Sequence, residues 1–68
     1  MTQCERILKY MDNFRSISNR EAFLDLGVAR LASRIHDLRQ MGIEIESETM
    51  TGKNRYGEVT HYSVYRRV

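Results

Sequence analysis

Residues 21–42 read Glu21-Ala22-Phe23-Leu24-Asp25-Leu26-Gly27-Val28-Ala29-Arg30-Leu31-Ala32-Ser33-Arg34-Ile35-His36-Asp37-Leu38-Arg39-Gln40-Met41-Gly42. Two apolar patterns of helical period meet at Gly27. Upstream, Ala22, Phe23 and Leu26 mark the inward side of a helix over residues 19–25. Downstream, Leu31, Ile35 and Leu38 recur at intervals of four and three, and Ala32 allows close approach; this spacing predicts a helix over residues 28–41. A glycine takes a positive φ without steric cost, so Gly27 lets the chain turn sharply between the two helices. Gly42 supplies the matching stop at the far end.

Working outward, Ser18-Asn19-Arg20-Glu21 has the form of a capping box, in which hydroxyl and carboxylate each satisfy an orphan backbone N–H. Thr2-Gln3-Cys4-Glu5 repeats that form at the start of the chain. Cys4, Ile7, Leu8 and Met11 follow at helical spacing, predicting a first helix over residues 3–13 with Phe14 closing its apolar stripe. Arg15-Ser16-Ile17-Ser18 breaks the pattern, and Ile17 is expected to plug the core from an extended segment. Beyond Gly42 the period falls to two. Ile43-Glu44-Ile45-Glu46-Ser47-Glu48-Thr49 alternates as a half-buried strand, isoleucines inward and glutamates outward. Residues 51–57 are polar with two glycines and read as a hairpin loop. Residues 59–66, rich in β-branched and aromatic side chains, form the return strand, with Tyr62 and Val64 expected inward and Val59 and Tyr65 on the other face.

The expected fold is therefore α+β: a single winged helix-turn-helix domain over residues 1–68, three helices followed by a two-stranded antiparallel hairpin wing. A hairpin is marginal alone and must pack on the helices. The run Leu31-Ala32-Ser33-Arg34-Ile35-His36-Asp37-Leu38-Arg39-Gln40-Met41-Gly42, followed by Ile45 and by Asn54-Arg55-Tyr56-Gly57, resembles the third helix and wing of small phage and prophage winged helix-turn-helix proteins. Glu21, Ala22, Phe23, Leu26 and Gly27 match the second helix of that group, so the resemblance spans nearly the whole chain. It implies double-stranded DNA binding by a transcription regulator or an excisionase-like factor, with the third helix in the major groove and the wing on the backbone or in the adjacent groove.

Composition agrees with an anionic partner. Eleven Lys+Arg oppose nine Asp+Glu, for a net charge of +2. Nine of the eleven cations are arginine, whose planar donor fork suits phosphates and guanine edges. The lone Cys4 fits a reducing compartment, no apolar run approaches the roughly 20 residues of a membrane span, and the N-terminus lacks the pattern of a signal peptide. A cytoplasmic location is expected, with no membrane partner. Catalysis is not expected: His36, His61 and Cys4 show no nucleophile or zinc spacing, and Gly52 to Gly57 lacks the Lys-Ser/Thr of a P-loop. Neither cofactor, metal nor small-molecule substrate is called for.

The expected DNA contacts are Arg20, Ala29, Arg30, Ser33, Arg34, Lys53, Asn54 and Arg55. Arg30, Ser33, Arg34 and Asp37 lie at i, i+3, i+4, i+7 and should form the exposed stripe of the third helix, flanked by Ala29 and His36. Arg30 and Arg34 are one turn apart, so both can reach bases or phosphates, while Asp37 is read as the partner of Arg34. Arg20 sits near a helix N-terminus, where phosphate is favoured, and Lys53, Asn54 and Arg55 occupy the wing tip. One such domain makes a small contact, so tight binding calls for a homodimer, a cooperative oligomer or tandem sites. The row Glu44, Glu46 and Glu48 must face away from DNA; it protects a strand from aggregation or meets a protein. The alternative is a protein-interaction module in which the acidic strand or the Tyr65 face meets a partner.

Overall fold

Both expected capping boxes form. In the computed structural model, which describes residues 1–68, helix α1 spans Gln3–Phe14, and the Thr2 hydroxyl accepts the Glu5 amide at 3.2 Å while the Glu5 carboxylate returns to the Thr2 amide. Helix α2 spans Asn19–Leu26; Ser18 Oγ accepts the Glu21 amide at 3.2 Å, and Glu21 Oε1 accepts the Ser18 amide at 3.0 Å. Between them lies β1, the two residues Ile17–Ser18, and Ile17 fills the core as expected, with no exposure.

Helix α3 spans Leu31–Gln40, three residues shorter at its start than its apolar period predicts. The reason is local. Val28 donates its amide back to the Ala22 carbonyl at 2.9 Å, and its side chain is buried, so it belongs to the end of α2 and to the core. The turn of the helix-turn-helix is Gly27–Arg30, with Gly27 left-handed at φ 70°. Gly42, at φ 89°, closes α3 in a Schellman arrangement: its amide reaches the Arg39 carbonyl, and the Ile43 amide reaches the Leu38 carbonyl.

The core joins Ile7, Tyr10 and Met11 of α1 to Ile17, Ala22, Val28, to Leu31, Ile35 and Leu38 of α3, and to Ile45. Two aromatic expectations fail. Phe14 and Phe23 are 64% and 61% exposed. On α1 the inward aromatic is instead Tyr10, whose hydroxyl donates to Asp25 at 2.6 Å, with Glu21 at 3.3 Å. The hydrogen bond to Asp25, burial, and the negative charges of Glu21 and Asp25 hold the Tyr10 proton well above its ordinary pKa of 10.0. On α2 the inward residue is Ala22, a methyl group that lets the helix lie close.

The sheet corrects the expectation of a two-stranded hairpin. Strands β2, Ile45–Lys53, and β3, Val59–Arg67, form the hairpin, and β1 joins it to give a three-stranded antiparallel sheet in the order β1-β3-β2. Ile17 pairs with Tyr65 and Ser18 with Val64. This register turns Ile17, Tyr65 and Ile45 to the helices, so Tyr65 is the strand's inward aromatic, packed on the core, and Tyr62 and Val64 lie on the opposite face. Arg39 of α3 donates twice to the Ile45 carbonyl (2.8 and 3.3 Å), and Arg67 reaches Asp12 of α1 at 3.3 Å, so both strands are tied to the helices at the open end of the hairpin. No helix is long and apolar enough to cross a membrane.

Candidate nucleic-acid interface

The start of α3 differs from the other two helix starts. Arg30 stands at the N-cap, outside the helix, with φ −123° and no side-chain hydrogen bond to the first turn, and that turn holds no carboxylate. The orphan amides of an α-helix's first turn carry partial positive charge. In α1 and α2 the N-cap hydroxyl accepts one of them and a glutamate places its negative charge in the same turn; in α3 no side chain does either. Ala29 and Arg30 are exposed beside this opening. Ser33 and Arg34 lie on the first turn and are half-buried, as is Asp37.

The expected exposed stripe is therefore rotated. Outside the buried Leu31, Ile35 and Leu38, the exposed positions of α3 are Ala32, His36, Arg39 and Gln40. At about 100° per residue the position directly opposite the triad is Gln40, with Ser33 and His36 to either side. Arg34 keeps an accessible side chain, 39% exposed, and its Nη2 lies 3.4 Å from Asp37 Oδ2, the ion pair its spacing predicted. A half-exposed pair of this kind contributes at most about 0.5 kcal/mol, so it yields easily to a competing anion.

The wing tip is ordered by one side chain. Asn54 Oδ1 accepts the amides of Tyr56 and Glu58 at 2.9 and 3.0 Å, and its Nδ2 donates to Glu58 at 3.3 Å. Asn54 thus holds the loop, while Lys53 and Arg55 project on either side of it, exposed and without ion-pair partners.

Arg20 is placed elsewhere. It lies on the first turn of α2 and lines a groove of about 860 Å³ between that turn and the sheet face bearing Tyr62. Lys53 lines the same groove, whereas no residue of α3 does. The eight expected contact residues thus fall into three sets: Ala29, Arg30, Ser33 and Arg34 at the start of α3, Lys53, Asn54 and Arg55 on the wing tip, and Arg20 on the groove. Of the acidic row, Glu44, Glu46 and Glu48 are all exposed, and Glu48 is bound by Arg66. The Tyr65 face, considered for a partner, is turned into the protein.

A family model described as a winged helix-turn-helix domain matches residues 2–67. No curated protein and no solved structure matches the chain.

Proposed function

The chain belongs to the winged helix-turn-helix family, and from that premise we propose that it binds double-stranded DNA, with α3 in the major groove and the β2–β3 hairpin as the wing on the backbone or in the adjacent groove. The observation that carries this reading is the open start of α3: unanswered amides, no carboxylate in the first turn, and Arg30 and Arg34 on either side. Anions are favoured there by helix polarity and by two donor forks. Arg30 and Arg34 are the primary contacts to bases or phosphates, with Ser33 and Ala29 beside them. Lys53 and Arg55 contact the backbone from the wing, Asn54 positions them, and Arg20 adds a phosphate contact at the margin.

The role is binding without catalysis, in the cytoplasm, as a regulator of phage or prophage type or as an excisionase-like architectural factor. A single domain of this size offers a small contact, so the working form on DNA is a homodimer or a cooperative oligomer. Selection of bound fragments from a random duplex pool tests the proposal. The wild-type chain should enrich a defined motif, and the Arg30→Ala, Arg34→Ala double variant should not. A pool that stays random with the wild-type chain contradicts DNA reading, and enrichment unchanged in the double variant removes α3 from the contact.

A further inference from the structure

We propose that the groove on the outer face of the sheet docks an extended acidic segment of a partner protein, anchored by one apolar side chain. Three independent features converge there.

The floor is apolar and open. Pairing of Glu48 with Val64, Met50 with Tyr62, and Gly52 with Thr60 puts Met50, Tyr62 and Val64 on one face. A Cβ at Gly52 would stand 3.3 Å from Tyr62 Cε1, so the glycine lets the ring lie across the strand. Met50 and Tyr62 remain 40% and 44% exposed. Aromatic side chains at such sites favour a partner that covers them.

The rim is cationic. Arg15, Arg20 and Lys53 line the groove with no ion-pair partner. Its two carboxylates are already engaged, Glu21 by the Ser18 amide and the Tyr10 hydroxyl, and Glu48 by Arg66. With Glu48 neutralised by Arg66, three free cations stand against the single charge of Glu21, and the groove is net positive.

The third feature is a strand edge. β1 covers only Val64 and Tyr65 of β3. Past Ser18 the chain turns into α2, so residues 59–63 have no neighbouring strand on that side. Unpaired backbone groups on such an edge accept an added strand. A peptide continuing the line of β1 pairs there, lays an apolar side chain against Tyr62 of the neighbouring strand, and sets its carboxylates against the rim. A duplex backbone offers neither an apolar group for the floor nor amides for the edge. The groove shares only Arg20 and Lys53 with the contacts proposed for DNA.

The test is selection from a displayed library of random peptides on the full chain, followed by titration of the best synthetic peptide against variants. Enriched peptides should carry several Asp or Glu around an aliphatic or aromatic residue. Arg15→Glu should weaken the peptide by at least about tenfold, since like charges across a contact are strongly disfavoured. Tyr62→Ala should weaken it similarly, and amide shifts should concentrate on residues 59–63. Neither change should alter duplex binding. Circular dichroism checks the fold, and Arg15→Gln supplies a milder charge change if Arg15→Glu unfolds. Enrichment without acidic character, or titrations indifferent to Arg15 and Tyr62, overturns the proposal. So does equal loss of duplex binding in these variants, which would make the groove part of a DNA surface, or tighter binding of labelled oligothymidylate at the same amides.

Discussion

At the scale of single residues, Asp37 and Tyr10 show how a neighbour sets what a side chain can do. Asp37 holds Arg34 at 3.4 Å in a half-exposed pair, and its charge opposes any phosphate that Arg34 approaches. Asp37→Asn should cost no more than about 0.5 kcal/mol of stability while raising duplex affinity several-fold, measured by titration at fixed salt; unchanged or weaker binding would show that Arg34 needs Asp37 to hold it in place. Tyr10 donates to Asp25 and keeps its proton well past its ordinary pKa of 10.0. In the unfolded chain that proton leaves near pH 10, so above this value the unfolded state binds fewer protons and stability falls as pH rises. Tyr10→Phe should cost about 1 kcal/mol at pH 7 and should remove this alkaline decline. Urea midpoints of the two proteins should therefore converge between pH 9 and 11, roughly the window set by a tyrosine's ordinary pKa; a constant gap would mean that the hydroxyl is no better held folded than unfolded.

At the scale of elements, what could be read from the sequence was what is local. The capping boxes at Thr2 and Ser18, the stop at Gly42 and the buried triad of α3 each depend on residues within about two turns, and each forms as its spacing predicts. Gly42→Ala tests the stop. Nothing lies within 4 Å of an added Cβ, so the cost is that of a left-handed backbone, about 1–2 kcal/mol, read from chemical denaturation; an unaffected variant would show that φ there relaxes freely. What could not be read depends on partners distant in sequence. Tyr10 outranks Phe14 for the interior because Asp25 and Glu21 of α2 receive its hydroxyl. The start of α3 moved because Val28 was claimed by the Ala22 carbonyl. The third strand has no sequence signature because two residues carry no period, yet its pairing of Ile17 with Tyr65 decides which face of β3 turns inward.

At the scale of the whole molecule, the sheet divides the surface into two working sides. One carries α3 with its open, arginine-flanked start; the other carries the cationic groove, to which α3 contributes nothing. Sequence spacing named the arginines at the start of α3, but the groove depends on the β1–β3 pairing and on Gly52 making room for Tyr62, neither of which has a local signature. The central claim is that Arg30 and Arg34 neutralise phosphates. Binding that displaces counterions weakens linearly in log salt, with a slope of about −0.9 per phosphate contacted. The most direct measurement is duplex affinity of the wild-type chain and the Arg30→Ala, Arg34→Ala variant across a salt series. The variant should bind more weakly, with a slope shallower by about 2, and retain the wild-type circular dichroism; two superimposed lines would contradict the assignment.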